Sequence, residues 1–258
     1  MLKKISTIKK SHKFKIYLLL GIVLLFFLWW LIAFLINSKL FPTPIEVFPA
    51  FFSYFSKTMT YQAIGGTFLR VLISFLISFI IGGALGILAG QFYRFEALIK
   101  PLMIVLKTLP TAAIVLVLVV LLKPMWLPII VTTLVILPLF YEAFLNGIKN
   151  INRGIVDRLK VDGANPFNAL FHIYIPMIMP YILLAVVQSL GLGLKVSIMA
   201  EIIGGSNQIV GLGRLIHASF ISAESVNVIA LSLLAILIIV IIDILLSFIK
   251  RRFKNESK

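Results

Sequence analysis

From Ile16 to Ile36 the chain runs for 21 residues without a charged side chain. A helix of that length matches the hydrocarbon core of a bilayer, about 30 Å thick, at ~1.5 Å rise per residue. Five more apolar runs follow, at about Thr67–Gly90, Lys100–Leu122, Met125–Asn146, Pro176–Ile203 and Val228–Ile249. Together they predict an all-α integral membrane protein with six transmembrane helices. Composition points the same way, since 61% of the 258 residues are hydrophobic, against roughly 45–50% in soluble domains. A soluble fold would leave those runs facing water.

A lysine-rich start before an apolar run also describes a secretory signal. Signal cores, however, are only ~7–15 residues long and end at a small-residue cleavage site. This run is longer and no small-x-small triplet follows it, so it reads as a retained first span, with Trp29 and Trp30 as interfacial anchors. The predicted layout is a basic N-terminus (1–15), a six-span membrane domain (16–249) and a basic tail (250–258).

The net charge of +15 comes from 24 basic and nine acidic residues. These basic residues gather at the chain ends and in alternate loops, which is a topology signal and not the continuous stripe that nucleic acid requires. Lys3, Lys4, Lys9, Lys10, Lys13 and Lys15, the 91–100 and 147–175 loops and the tail carry most of them. The opposite loops hold only Lys39, Lys57, Lys123 and Arg214. By the positive-inside rule both termini and the 147–175 loop are cytoplasmic, and the expected location is the bacterial cell membrane.

Between spans, Phe41-Pro42-Thr43-Pro44 reads as extended and Ile45–Ser56 as an amphipathic surface helix. Gly82 and Gly86 have the small-xxx-small spacing of closely packed membrane helices. Pro110 inside the third span and Pro138 inside the fourth are each expected to break their helix. Residues 204–227 are too polar to span and predict an outer loop with a short re-entrant or surface helix.

Chemistry-bearing patterns are few. Without cysteine there is neither disulfide nor thiolate metal site, and His12, His172 and His217 lie too far apart to form a ligand set. The chain has no G-x-x-x-x-G-K-[ST] phosphate loop and no Ser/His/Asp, H-E-x-x-H or paired-carboxylate arrangement, so neither ATP binding nor an enzyme is expected. Ionisable residues within membrane spans cost about 2.5–3.5 kcal/mol on insertion scales and default to functional candidates. Lys107, Glu142, Lys195 and Glu201 meet that description. Glu142 and Glu201 lie near span ends, where snorkelling or local pairing serves them, and Lys107 is within snorkelling reach. Lys195 is the deepest, and either an anion on a translocation path or an ion pair with a neighbouring helix would satisfy it. Lys107, Lys195 and Glu201 are the path candidates. Asp243 and Ser247 are expected to be buried against another helix.

One polar stretch stands apart, Asp157–Pro176, DRLKVDGANPFNALFHIYIP. Gly163 suits a left-handed turn between two short helices, and Asn165-Pro166 suits the start of the second. Phe167, Leu170 and Phe171 follow at helical spacing, giving that helix an apolar face. This stretch resembles the cytoplasmic loop of ABC importer membrane subunits, E-A-A, three residues, G, nine residues, I-x-L-P. Asp157 stands at the acidic position, Gly163 falls six later, and Ile173-Tyr174-Ile175-Pro176 closes the pattern. Asp replaces Glu, Arg158-Leu159 replace the alanines, and Ile175 replaces Leu. Glu142-Ala143 before Gly147 is a decoy with the wrong spacing.

The resemblance spans about Phe41 to Phe253 and implies a type I ABC importer permease. The segment Leu40–Phe48 and Gly211-Leu212-Gly213 look like the branch handling sulfonates, taurine and nitrate, some of whose members carry thiamine-type pyrimidine precursors. In that family the loop docks on the ATPase. Carried over, Asp157, Arg158, Gly163, Ala164, Phe167, Leu170, Phe171, Ile173, Ile175 and Pro176 are the docking residues, with Ala164–Phe171 as the docking helix. The implied partners are ABC ATPase subunits holding ATP and Mg, a second permease copy or paralogue, an extracytoplasmic solute-binding protein and membrane lipid, without nucleic acid. The alternative is an ATP-independent secondary carrier or channel, which predicts internal repeats across the two halves.

Overall fold

The computed structural model describes residues 2–151, 154, 174–206 and 208–256, with backbone alone for 2–15 and 249–256. Among them the helices are α1 (Leu2–Ile36), α2 (Pro44–Ser53), α3 (Thr58–Gln91), α4 (Tyr93–Thr108), α5 (Thr111–Leu121), α6 (Leu127–Lys149), α7 (Ile175–Gly204), α8 (Leu212–Ile221) and α9 (Ser225–Glu256). Five of these are long and apolar enough to cross a membrane, and α4 with α5 make a sixth if the bent pair counts as one span.

α3 and α6 form the central pair. The buried edge of α3 is a run of small residues, Ala63, Thr67, Val71, Ser74, Ser78, Gly82, Gly86 and Ala89, so the two backbones approach closely. A Cβ on Gly82 would sit 2.8 Å from the Leu137 carbonyl oxygen, and one on Gly86 2.5 Å from that of Tyr141. Further along the seam, Ser74 and Ser78 donate to the carbonyls of Ile129 (3.0 Å) and Thr133 (3.1 Å). Phe140 fills the space beside it, edge-on to Phe75 and Phe79.

The two span prolines part ways, and only Pro138 behaves differently from the sequence expectation. α6 runs unbroken through Pro138. Its ring costs a backbone hydrogen bond, but the surrounding α3 contacts and the neighbouring Ser78–Thr133 bond hold the helix together. The third span is broken at its proline, as expected, and turns by 97° between α4 and α5. Leu109, ahead of Pro110, is extended (φ −63°, ψ 130°) because a proline disfavours the helical region for the residue before it. Among the described residues no helix seam spans that site as α3 does at Pro138.

The remaining helices assemble at one end. α2 begins with Glu46 reaching back to the Thr43 N–H (2.8 Å) and Pro44 in the first turn. Val47, Ala63, Ile198, Leu212, Leu231 and Leu234 make a shared core of α2, α3, α7, α8 and α9. α7 stops at Gly205, whose φ of +56° is the left-handed turn that ends helices. The short helix expected within 204–227 is α8, and the helix expected over 45–56 is α2 with a short 3₁₀ turn. α1 lies apart, with most side chains exposed. It touches α2 through Phe26 on Phe48, ring centroids 5.7 Å apart, and Trp29 donates its indole N–H to the Pro42 carbonyl (3.2 Å).

Candidate functional site

Charged side chains within apolar helices are the features that packing alone does not explain, and the structure sorts them into three environments. Glu201 is fully buried on α7. One carboxylate oxygen, Oε1, accepts from Arg70 Nε (3.0 Å) and Nη2 (2.8 Å) on α3. The other, Oε2, accepts from the Thr67 hydroxyl and the Gly213 N–H, each at 2.9 Å. Thr67 in turn accepts from the Leu212 N–H (2.9 Å), and Arg70 Nη2 also donates to the Val210 carbonyl (2.6 Å). The carboxylate therefore sits at the N-terminus of α8, where unpaired N–H groups favour negative charge.

This network requires Gly211 and Gly213. A Cβ on Gly211 would run into Arg70 and Glu201, and one on Gly213 into the Ile198 carbonyl. Glu201, a path candidate from the sequence, is thus held in a closed arrangement joining α3, α7 and α8. Arg70 was missed by the sequence reading. Its signal was available, an arginine just inside the run that starts at Thr67, but its partner was not.

Lys107 on α4 pairs with Glu142 on α6 at 2.7 Å, both half-exposed. Lys149 and Glu96 make a second α6–α4 bridge at 2.6 Å. Local pairing is therefore what both Glu142 and Lys107 have.

Lys195 differs. It is exposed on α7 and has no ion pair or side-chain hydrogen bond among the described residues. Asp243 on α9, expected to be buried with Ser247, is exposed, as is Ser247, which donates to the Ile244 carbonyl (2.7 Å). Asp243 rests against Gly191, where a Cβ would meet its Oδ1 at 2.6 Å. Contact with this one small residue of α7 leaves the carboxylate near the surface of the single chain and does not enclose it.

Of the expected docking residues, Asp157, Arg158, Gly163, Ala164, Phe167, Leu170, Phe171 and Ile173 lie outside the described residues. Ile175 and Pro176 open α7, the proline in its first turn where its missing N–H costs nothing.

Comparison with known proteins decides the family. Residues 82–255 match the profile of the binding-protein-dependent transport system inner membrane component. The chain belongs to this family. Members are permease subunits of ABC importers, and an enzyme reading is set aside. The permease is 31% identical over 154 residues to the glycine betaine/proline betaine transport system permease protein ProW of Escherichia coli K12, covering 58% of this chain. It is 30% identical, over the same share, to ProW of Salmonella typhimurium LT2. The matched region spans 44% of the length of these curated relatives. Their names are those of betaine permeases, where the sequence reading expected the sulfonate, taurine and nitrate branch.

Solved structures agree on fold. The permease superposes on a bacterial ABC transporter for import of the acidic polysaccharide alginate with a TM-score of 0.62 and 19% identity, covering 94% of this chain and 96% of that one. On the inward-facing MetNI methionine ABC transporter the TM-score is 0.60 at 15% identity, covering 75% and 95%. The protein is a multi-pass, all-α permease of the type I ABC importer fold.

Proposed function

We propose that this permease forms the membrane path of an ATP-driven importer for a small zwitterion of the betaine type. The observation that carries the importer reading is the Asp157–Gly163–Ile173-x-Ile175-Pro176 spacing in a chain of this family. ATP and Mg belong on partner ATPases docked at Ala164–Phe171, since the sequence has no phosphate loop of its own. A second permease copy or paralogue completes the path, and a solute-binding protein delivers the cargo from outside. The weight of basic residues puts both termini and the docking loop in the cytoplasm. The betaine reading rests on the two curated relatives and replaces the sulfonate, taurine or nitrate-like anion, or pyrimidine precursor, expected from the Leu40–Phe48 and Gly211–Gly213 segments together with Lys195. Lys195 lines the path, while Glu201 anchors its wall and Lys107 is paired beside it.

The test is co-purification from native membranes, followed by reconstitution with the recovered ATPase and a binding protein. Glycine betaine uptake should require ATP, and changing Phe167 and Phe171 to Asp should release the ATPase. A chain that purifies alone and moves solute without ATP would establish the secondary carrier instead.

A further inference from the structure

The exposed face of α7 carries a pattern unlike a lipid-facing helix. Leu184, Gln188, Leu192 and Lys195 are all exposed and recur at helical spacing, so they form one stripe. Two of the four are polar, and a lysine within a membrane span normally faces protein or a water-filled cavity. Lys195 lies about 13 Å along the axis from the Gly204 end, at ~1.5 Å per residue, too deep for lipid contact to suit its ammonium.

A second charge stands beside this stripe from another helix. Asp243 of α9 occupies the space above Gly191, whose missing side chain makes room for its carboxylate. Gly191 and Lys195 are one turn apart on the same side of α7. The face therefore presents a carboxylate and an ammonium at neighbouring levels, with Gln188 a turn below Gly191–Leu192 to donate and accept hydrogen bonds. No ion pair joins Lys195 to Asp243, and neither has another partner among the described residues.

We infer that Asp243, Gln188 and Lys195 form a solute site inside the membrane for a small zwitterion, Lys195 taking the anionic end and Asp243 the cationic end. Opposite unpaired charges on one face match a ligand bearing both signs better than a simple anion or cation. The assignment rests on the transport reading above, and it gives that reading a specificity element on this chain.

The chain has no cysteine, so a single reporter thiol can be read cleanly. Leu192→Cys places it between the candidate residues in the assembled importer in native membranes. A water-soluble thiol reagent should label it, and glycine betaine or taurine should slow labelling several-fold while choline and ethanesulfonate at equal concentration do not. Lys195→Met or Asp243→Asn, each added to the reporter, should abolish that protection with assembly on the ATPase retained. Labelling that neither zwitterion slows overturns the site. So does a thiol that is unreactive to the reagent yet forms a disulfide with a second copy, which makes this face an interface. Protection by taurine without glycine betaine uptake by the wild type keeps the site and overturns the betaine reading.

Discussion

Arg70 and Glu201, 131 positions apart in the chain, meet through two hydrogen bonds of 3.0 and 2.8 Å to one carboxylate oxygen. The other oxygen is taken by Thr67 and the Gly213 N–H, so every part of the buried acid has a partner. Such a network is stable only when complete, because a buried charge without its counter-ion has no water to fall back on. It ties α3, α7 and α8 into one wall.

Removing one partner should be far worse than removing both. Arg70→Met or Glu201→Leu alone is expected to cost about 3–5 kcal/mol, while the double replacement recovers a large part of it. Thermal unfolding of the purified permease in detergent checks this. A double variant as unstable as the worse single one would show that the pair is not the source of the loss.

The α3–α6 seam makes a contrasting pair of glycine predictions. Gly86→Ala places a Cβ against the Tyr141 carbonyl and the Phe144 Cβ, and overpacking of this kind costs about 1–3 kcal/mol. Gly65, on the same helix, has open space around it, with nothing within 4 Å of where a Cβ would stand. Gly65→Ala should be neutral or stabilising by up to ~1 kcal/mol from helix propensity. Equal melting shifts for the two would refute the close-seam account.

The Lys107–Glu142 pair is half-exposed on both sides. Exposed pairs contribute about 0–1 kcal/mol, so Lys107→Gln should leave the melting temperature nearly unchanged. Uptake by the reconstituted importer is expected to stay close to wild type. A large loss of transport with normal stability would place Lys107 on the solute's route.

In the docking loop, we predict that Gly163→Val uncouples the importer. The basis is the glycine's place six residues after Asp157 in the motif spacing, and a β-branched residue would oppose the left-handed turn that the sequence leads us to expect there. Expected is normal membrane insertion with solute uptake reduced at least tenfold, or about 1.4 kcal/mol in coupling. Wild-type uptake from a normally assembled variant would sink the idea.

Apolar run length and charge distribution are local properties of the chain, so the sequence alone determined a membrane protein, the apolar runs from which its long helices are built and the motif spacing that pointed to the family. A bilayer's thickness converts composition directly into helices, whatever the neighbours do. Only the tertiary structure decided what those helices do with their exceptions. Pro110 bends the chain while Pro138 does not, because α3 packs and bonds across one site and no described residue does the same at the other. Glu201 became an interior anchor because Arg70, Thr67 and the start of α8 converge on it, and Asp243 lies at the surface because Gly191 admits it there. Partners so distant in sequence leave no periodic trace, since a charge's cost depends on what the fold brings within about 3 Å of it.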